Sequence, residues 1–397
     1  MDQACEFAMR PVPYLPNHQL TLLRGGLEFI PALVAAIGGA QREVLLETYI
    51  FALDPAGRAV QQALMDAAKR GVSVKLITDW HGTGHNTITE MNLGLLPSGV
   101  QHLNFNPWFK RGFTRTHRKL CVVDQDVAFI GGINLNDDWL CDFDASIRLN
   151  APRWDFAVQL RGPLVQQIWR EISAQWARLC GGRAALRGFL AQYRQRDKDN
   201  ADSLAAPALA ALVKRDNLNN RRTIQQAFEQ AFRNAKQEIY LATPYFAPGR
   251  KFINALCAAA RRGVRVTLLL GCGQFHLQDA VARSFYPKLL RAGVHLVEYR
   301  KTQLHAKVAV VDRRWASVGS SNFDGLSLFL NHEANLLVQD DDFARTLRRA
   351  ILEGVADGAS LSLASVHQRS WRKRLREHSA MLFYRGLMYI LTSGKYG

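Results

Sequence analysis

Two stretches of the chain carry the same reactive residue types at the same spacing. The first is THRKLCVVDQDVAFIGGIN, at 116–134, and the second is LHAKVAVVDRRWASVGSSN, at 304–322. Each supplies one histidine, lysine, aspartate, glycine and asparagine: His117, Lys119, Asp124, Gly131 and Asn134, then His305, Lys307, Asp312, Gly319 and Asn322. A whole set repeated at fixed spacing indicates one shared chemistry rather than two accidental hairpins.

These residue types suit displacement at a phosphodiester. A neutral imidazole can attack phosphorus and form a phosphohistidine, and a second, protonated imidazole can protonate the departing alkoxide. Lysine ammonium groups balance the charge on the non-bridging oxygens. The reaction needs two histidines in opposite protonation states, and each copy supplies one. We therefore expect the two copies to face each other and build one site, with no metal and no other cofactor. The candidate catalytic residues are His117, Lys119, Asp124, His305, Lys307 and Asp312.

The residues after each histidine predict a β-hairpin, because a valine-rich run is followed by a short polar break and a second apolar run. Residues two apart on a strand project from the same face, so the histidine and lysine of each copy point together. Asp124 and Asp312 lie an odd number of residues after their histidines. We expect these two aspartates at the hairpin ends, where their part is structural or charge-balancing.

The similarity between the two halves extends beyond the histidine stretches. REVLLETYIF at 42–51 resembles QEIYLATPYF at 237–246, and AKRGVSVKLITD at 68–79 resembles ARRGVRVTLLLG at 260–271. Strand-like runs alternate with helical ones in each half, which predicts an α/β fold with helices covering the faces of a sheet. The sequence therefore predicts a duplicated domain with a pseudo-twofold relation, and the polar run at 192–203 is the best candidate for the linker.

The charge and the cysteine pattern restrict the setting. A formal net charge of +17 predicts an anionic partner, either nucleic acid or an acidic membrane surface. The 6 cysteines form no C-x-x-C pair, which argues against zinc fingers and disulfide frameworks and favours a reducing, cytoplasmic setting. No signal-peptide pattern opens the sequence, and no run of eighteen apolar residues predicts a spanning helix.

The H-x-K-x4-D-x6-G pattern resembles that of the phospholipase D superfamily. RWDFAVQLRGPLV at 153–165, TPYFAPG at 243–249 and GSSNFDGLSLFLNHEANL at 319–336 look most like bacterial cardiolipin synthases, particularly those of the B type. The resemblance implies two similar α/β/α lobes with mixed β-sheets, related by a pseudo-twofold axis and sharing one active site. It also implies two-step phosphatidyl transfer through a phosphohistidine.

The same resemblance extends the set of site residues. It implies that Asp155 and Glu333 orient the catalytic histidines, and a carboxylate that fixes the tautomer of an imidazole is physically sensible. Ser320 stands where the first copy has Gly132, so hydroxyl contacts to substrate would come from one side only. Residues expected to bind the substrate phosphate, through amide donors or close backbone approach, are Asn134, Asn322, Ser320, Gly131 and Gly319.

Two segments leave two interpretations open. FNPWFKRGFTRTHRK at 105–119 mixes aromatic and basic residues, which is typical of an interfacial loop but also of a packed aromatic loop with solvated charges. RSWRKRLREHSAMLFYRGLMYIL at 369–391 places a basic cluster before an apolar stretch that is too short to span a bilayer. It suits an in-plane membrane anchor or a helix docked on the protein body.

In WHGTGH, a loop is expected to separate His81 from His85, which disfavours a zinc site.

The repeated motif and the resemblance together predict an enzyme that makes cardiolipin by moving a phosphatidyl group onto an alcohol. The resemblance implies that donor and acceptor are two phosphatidylglycerol molecules and that glycerol is released. The alternative is a phosphodiesterase acting on nucleic acid, which the charge also fits but which does not need an apolar tail. A catalytically idle membrane protein is disfavoured because all the motif histidines, lysines and aspartates are present.

The expected partner is an anionic phosphatidylglycerol membrane and not nucleic acid. The expected location is peripheral, on the cytoplasmic face of the bacterial inner membrane. The expected domains are a first lobe at 1–195, a second lobe at 196–365 and a membrane-associating tail at 366–397.

Overall fold

The computed structural model describes residues 11–142, 144–196, 208–217 and 219–391. Its first half alternates strands and helices before a long helix that is interrupted at Gly181 and Gly182. The strands are β1 (Leu15–Arg24), β2 (Glu43–Thr48), β3 (Ser73–Asp79), β4 (Gln101–Phe105), β5 (Lys110–Phe113), β6 (Leu120–Val123), β7 (Val127–Gly131), β8 (Leu140–Cys141), β9 (Asp144–Arg148) and β10 (Phe156–Arg161). The helices are α1 (Gly25–Gly38), α2 (Pro55–Lys69), α3 (Trp80–Thr83), α4 (His85–Leu95) and α5 (Leu164–Arg196), with a 3₁₀ turn at Pro107–Phe109.

The second half repeats this plan and adds helices at its end. Its strands are β11 (Ala208–Arg215), β12 (Glu238–Thr243), β13 (Arg265–Gly271), β14 (His295–Tyr299), β15 (Val308–Val311), β16 (Trp315–Gly319), β17 (Glu333–Gln339) and β18 (Ala359–Leu361). Its helices are α6 (Thr223–Asn234), α7 (Arg250–Arg261), α8 (His276–Arg291), α9 (Gly325–Phe329), α10 (Asp341–Ala356), α11 (Leu363–His367) and α12 (Trp371–Leu391).

One mixed sheet passes through both lobes. Over the described residues it has 15 strands in the order β18-β14-β13-β12-β15-β16-β17-β11-β1-β10-β7-β6-β2-β3-β4. Read outward from the β1–β11 junction, each strand of one lobe has its counterpart in the other, with β18 added at one edge. The expected pair of similar α/β lobes with mixed sheets is therefore confirmed. The lobes are also continuous, because β1 pairs with β10 on one side and with β11 on the other.

The core is built in layers around this sheet. The parallel neighbours β12 and β13 are buried almost throughout, as expected for strands covered by helices on both faces. On one face of the sheet, α5 and α10 contribute to a single apolar cluster that includes residues of both lobes. Separate clusters lie beneath α1 and α2 in the first lobe and beneath α6, α7 and α8 in the second. The shared cluster fixes the lobes against each other and so fixes the geometry between them.

Two local expectations are corrected by the structure. Residues 80–85 are not a loop: α3 and α4 are helical there, separated by Gly84 at φ 85°. Residues 192–196 are not linker, because they continue α5, whereas 197–203 lie outside the described residues. The proposed boundaries at 195/196 and 365/366 stay predictions.

Candidate active site

The histidine of each motif lies just before a hairpin and bonds to the opposite lobe. The backbone N–H of His117 donates to the carbonyl oxygen of His332 at 2.9 Å. In the mirrored position, the N–H of His305 donates to the carbonyl oxygen of Trp154 at 3.0 Å. Single parallel bridges, Thr116 with His332 and Trp154 with Leu304, accompany these bonds. The two motifs therefore meet at the boundary between the lobes, as the two-copy chemistry requires.

The side chain of each histidine is held by a carboxylate from the other lobe. Nδ1 of His117 lies 3.1 Å from Oε2 of Glu333 and 3.0 Å from the carbonyl oxygen of Ser320. Nδ1 of His305 lies 2.5 Å from Oδ2 of Asp155. Because these partners are acceptors, Nδ1 carries the proton in each ring and Nε2 presents its lone pair. This geometry supports the histidine-orienting role that the resemblance implies for Asp155 and Glu333.

Burial shifts the protonation of the histidines and lysines in the substrate-free site. It lowers the pKa of His117 and lowers that of His305 well below its ordinary value. Burial, with repulsion from Lys307, lowers the pKa of Lys119 to about 7. Burial lowers the pKa of Lys307 to about 8, although Asp155 and Asp142 act to raise it. The site therefore holds neutral imidazoles and two lysines that lose their protons easily, and a negatively charged substrate would favour the protonated forms.

Each lysine is fixed within its own motif. Nζ of Lys119 donates to the carbonyl oxygen of His117 at 2.8 Å, and Nζ of Lys307 donates to that of His305. The ring of Tyr49 lies against both members of the first pair, with its centroid 4.9 Å from that of His117 and 5.2 Å from Nζ of Lys119. The histidine and lysine of each copy therefore lie together, as the strand periodicity predicts.

Asp142 is a site residue that the sequence analysis missed. Its Oδ2 lies 3.8 Å from Nε2 of His305, and its Oδ1 accepts a hydrogen bond from Nδ2 of Asn136 at 2.9 Å. Burial acts to raise the pKa of Asp142, but the guanidinium of Arg153, 3.1 Å away, and His305 hold it below its ordinary value. Asp142 is therefore ionised beside the ring of His305. Its signal in the sequence is the cluster of acidic residues at 137–144 in a strongly basic chain.

The two motif asparagines contribute unpaired buried amide atoms. Asn134 is 1% exposed, and neither Nδ2 nor Oδ1 has a hydrogen-bond partner in the described structure. Oδ1 of Asn322 also lacks a partner there. Buried amide groups are almost always hydrogen-bonded in native structures. These free atoms support the prediction that Asn134 and Asn322 bind substrate.

The phosphate-binding roles of Ser320, Gly131 and Gly319 stay predictions, and the structure shows that each residue also makes a close structural contact. Oγ of Ser320 donates to Oε2 of Glu333 at a short distance and accepts from the N–H of Ala334 at 3.1 Å, so this hydroxyl positions a carboxylate. A Cβ on Gly131 would lie 2.5 Å from Cα of Ala157 in the adjacent β10. A Cβ on Gly319 would lie 2.3 Å from the side chain of Asn335 in β17. These glycines allow neighbouring strands to approach each other closely.

Asp124 and Asp312 are not brought to the histidines, so their place in the catalytic set is corrected. Both lie in the hairpin turns with left-handed φ values of 52° and 50°. Each carboxylate accepts hydrogen bonds from three successive backbone N–H groups at the start of the neighbouring strand: 41–43 for the first and 236–238 for the second. They are structural residues at the hairpin ends, as their odd spacing predicts.

Among the described residues, no group of three histidine, cysteine, aspartate or glutamate side chains could hold a metal ion. His81 and His85 belong to different helices, and their rings contact Phe109 and Trp108, respectively, with ring centroids 5.7 Å and 5.5 Å apart. These two histidines pack in an aromatic cluster.

The structure has two exposed apolar surfaces whose neighbouring residues contact α9. The first, called here the aromatic surface, consists of Trp108, Phe109 and Phe113, which are 65%, 38% and 62% exposed. The second, called the α12 outer face, consists of Leu375, Leu382, Phe383, Leu387, Tyr389 and Ile390. Nδ2 of Asn217 connects the segment after the aromatic surface to the end of α9, bonding Oγ1 of Thr114 and the carbonyl oxygen of Leu330 at 3.0 Å each.

The C-terminal helix combines the two interpretations that its sequence leaves open. One side of α12 is docked on the protein, where Ala380, Met381, Tyr384 and Met388 are buried against α8 and α9. The opposite side is exposed and apolar. Met381, Tyr384 and Met388 therefore cannot insert into a membrane while α12 is docked, because the protein body already covers them. Within the described residues, no helix is long and apolar enough to cross a membrane.

Known proteins share both the sequence and the fold. The family model "Cardiolipin synthase, PLD-like domain" matches residues 33–176 and 228–353. Cardiolipin synthase B of Escherichia coli strain K12 is 34% identical over 93% of this chain and 88% of its own length. A cardiolipin synthase of Geobacillus kaustophilus strain HTA426 is 29% identical over 92% of this chain and 71% of its own. The crystal structure of phosphatidylserine synthase from Haemophilus influenzae Rd KW20 shares the fold, with a TM-score of 0.70, 16% identity and 97% coverage of both chains.

The two lobes and their facing histidine–lysine pairs define a phospholipase D-like enzyme of the phospholipid synthase kind. The chain belongs to the family of cardiolipin synthases with this domain, because the family model matches most of both lobes and a curated relative is similar along nearly its whole length. The resemblance stated from the motifs is confirmed.

Proposed function

We propose that this cardiolipin synthase transfers the phosphatidyl group of one phosphatidylglycerol molecule to the glycerol hydroxyl of a second, forming cardiolipin and releasing glycerol. The observation that carries the proposal is the crossed pair of contacts from Glu333 to His117 and from Asp155 to His305. These contacts present two Nε2 atoms at one boundary between the lobes. One histidine can therefore attack the phosphorus of a bound phosphodiester from one side, while the other histidine protonates the departing alcohol on the opposite side.

In the first step, the Nε2 lone pair of His117 attacks phosphorus and forms a nitrogen–phosphorus bond. The bond from phosphorus to the glycerol oxygen breaks, and His305 gives its Nε2 proton to that oxygen. In the second step, His305 takes the proton of the acceptor hydroxyl as the resulting oxygen attacks phosphorus. His117 then leaves with its electron pair, so that both rings return to their starting states.

The surroundings of the two rings support this division of roles. Asp142 lies beside Nε2 of His305 and favours a proton there, which suits a general acid. Glu333 contacts Nδ1 of His117, and no other carboxylate in the described part of the chain forms an ion pair with that ring. Burial keeps His305 neutral in the empty site. The charge of the bound phosphodiester must therefore raise its pKa before the first proton transfer.

The remaining site residues stabilise the charge on phosphorus. Lys119 and Lys307 place two ammonium groups in a buried site, where each electrostatic contact is worth more than in water. Nδ2 of Asn134 is an unpaired donor that can bind a non-bridging oxygen. Charge stabilisation from these groups leads us to expect full activity in the presence of EDTA.

We further propose that the enzyme acts at an anionic membrane, peripherally and on the cytoplasmic face of the inner membrane. Asn217 connects the segment after the aromatic surface to the end of α9, and α12 packs against α9. Helix α9 directly follows the segment that carries Asn322. Arg372, Lys373 and Arg374 are exposed at the start of α12. Each basic residue close to an anionic leaflet contributes about 1 kcal/mol of attraction.

The test is incubation with phosphatidylglycerol vesicles labelled in the terminal glycerol, with EDTA present and single-stranded DNA as a parallel substrate. The proposal predicts one free glycerol for each cardiolipin formed, and no product with His305→Ala. Phosphatidic acid as the sole lipid product would make the enzyme a hydrolase. Cleavage of DNA without lipid turnover would replace the proposal with the nuclease alternative.

A further inference from the structure

A cavity of about 580 Å³ lies between α12, α8 and the start of α7, and none of the histidine-site residues line it. Its walls are mainly apolar, with Phe285 from α8 and Met381 and Tyr389 from α12. Ligand sites in proteins commonly have volumes of about 300–1,000 Å³. The cavity is therefore large enough for a phosphate-containing headgroup and part of one acyl chain.

The polar part of this cavity is positively charged. Arg250, Lys288, Arg385 and His378 line it, and no aspartate or glutamate does. Among the described residues, Arg250 and Arg385 form no ion pair, and Lys288 donates only to the neutral Oδ1 of Asn254, at 2.9 Å. Cations placed on an apolar wall without acidic partners fit a ligand that brings its own negative charge.

The first turn of α7 adds to this charge. Gly249 precedes the helix and has no side chain to cap it, and the first turn contains no acidic residue. The exposed N–H groups of a helix start attract anions. Both Gly249 and Arg250 line the cavity, so the helix start and the cationic side chains act on the same space.

We infer that this cavity binds one anionic phospholipid molecule at a site separate from the catalytic histidines. The phosphate would lie against Arg250, Lys288 and Arg385, and an acyl chain would lie along Phe285 and Met381. A lipid is favoured over a free phosphate because α12 forms one wall of the cavity and also carries the exposed apolar outer face. A lipid molecule in the leaflet that the α12 outer face contacts could therefore enter the cavity without crossing water. This inference does not depend on which reaction the histidines perform.

A lipid in this cavity would also be linked to the catalytic site. The hydroxyl of Tyr384 on α12 accepts a hydrogen bond from the N–H of Gly325 at 2.7 Å. The N–H of Ala247 donates to the carbonyl oxygen of Phe323 at 2.7 Å. Both contacts are made by residues that closely follow Asn322 in the sequence. A ligand that holds α12 and the start of α7 together would therefore steady the position of Asn322.

The site can be tested by photo-crosslinking to the full-length protein. The probe is a short-chain phosphatidylglycerol with a diazirine at the end of one acyl chain, used below its critical micelle concentration so that no membrane is present. Labelled peptides are identified by mass spectrometry. We expect label on α8 and on 378–389 of α12, and the same label in a variant that lacks both catalytic histidines.

Charge variants and competitors decide the outcome. Lys288→Glu and Arg385→Glu should each reduce this labelling at least fivefold, whereas Arg349→Glu, an exposed residue of α10 outside the cavity, should leave it unchanged. Arg385→Gln is a milder change. If its melting temperature equals that of the parent, misfolding is excluded as the cause of reduced labelling in that variant. Unlabelled phosphatidylglycerol should compete and phosphatidylcholine of the same chain length should not. Equal labelling in the glutamate variants, or competition by inorganic phosphate at the same concentration, would overturn the lipid site.

Discussion

Glu333 and His117 belong to different lobes, yet Oε2 of the glutamate lies 3.1 Å from Nδ1 of the histidine. The reverse contact, from Asp155 of the first lobe to His305 of the second, is 2.5 Å long. Neither lobe therefore contains a complete histidine–carboxylate pair of its own. The duplication provides a second histidine, and each lobe also provides the carboxylate that orients the histidine of the other lobe.

This crossing predicts that the two carboxylates matter equally. Glu333→Gln and Asp155→Asn should each lower kcat by about 10²-fold, because an amide cannot stabilise a protonated imidazole and does not fix its tautomer. KM should change little, since neither carboxylate is proposed to contact substrate. Glu353→Gln, which alters a half-exposed carboxylate paired with Arg24, is the matched control and should keep full activity. An increase in KM with an unchanged kcat would contradict the positioning role.

Lys119 should reduce the stability of the folded protein while it serves catalysis. Its pKa falls from 10.5 to about 7 on folding, because burial disfavours the charged form. The unfolded chain therefore holds this proton between these two pH values, and the destabilisation is complete below pH 7 and absent above 10.5. Lys119→Met should abolish activity and raise the melting temperature at pH 6.5 by at least about 2 °C. A gain of the same size at pH 10.5 would show that packing, not charge, is responsible.

Asp124 should affect stability without affecting chemistry. Seven residues of nearly extended chain, about 20 Å, separate it from His117, and it accepts three backbone hydrogen bonds at the hairpin end. Asp124→Ala should cost about 1–3 kcal/mol of unfolding free energy, measured by denaturant titration, with kcat within about twofold of the parent. Asp126→Ala, two residues further along the same turn and paired with Arg161 on the surface, is the control. A large fall in kcat under conditions where all of the variant is folded would show that Asp124 takes part in catalysis.

Much of this site follows from the sequence, because a repeated motif encodes local geometry. Strand periodicity is enough to place the histidine and lysine of each copy together, and their odd spacing places the aspartates elsewhere. The crossing of Asp155 and Glu333 is not predictable in this way, since it depends on how the two lobes pack along the bridges at Thr116 and Trp154. Asp142 belongs to the short β8–β9 hairpin, which has no counterpart among the described residues of the second lobe, so a comparison of the two halves does not reveal it.

The hydroxyl of Ser320 shows a second limit of motif reasoning. A serine two residues before Asn322, which is predicted to bind phosphate, suggests a second phosphate ligand. The hydroxyl of Ser320 instead bonds Glu333 and the backbone of Ala334. The first lobe has Gly132 there, where a Cβ would lie 2.4 Å from Oδ1 of Asp155. There is therefore no space for a side chain beside Asp155, whereas there is space for a serine side chain beside Glu333.

The outer face of α12 should govern membrane binding. Deleting the whole helix would expose the core residues beneath it, so point substitutions are the better test. Phe383→Ser combined with Ile390→Ser should weaken binding to phosphatidylglycerol vesicles several-fold in sedimentation assays, because both side chains are mostly exposed, at 61% and 75%. Leu93→Ser, on an equally exposed residue of α4, is the control.

The basic residues at the start of α12 add a salt dependence to this binding. It should weaken as ionic strength rises from 0.01 to about 0.15 M, since the Debye length falls to about 8 Å. If the doubly substituted protein sediments with vesicles as the parent does, the aromatic surface at Trp108, Phe109 and Phe113 is the main contact instead.

The central claim is that one histidine from each lobe acts on a single phosphorus. Its most direct test is a rapid quench, under denaturing alkaline conditions, of the enzyme with phosphatidylglycerol labelled at phosphorus, followed by mapping of the labelled peptide. We expect one acid-labile phosphohistidine per chain, located at His117, absent in His117→Ala and slow to form in His305→Ala. A label at His305 would reverse the two roles and keep the shared site. Full turnover with no labelled histidine, or with label in both histidines at once, would contradict the account.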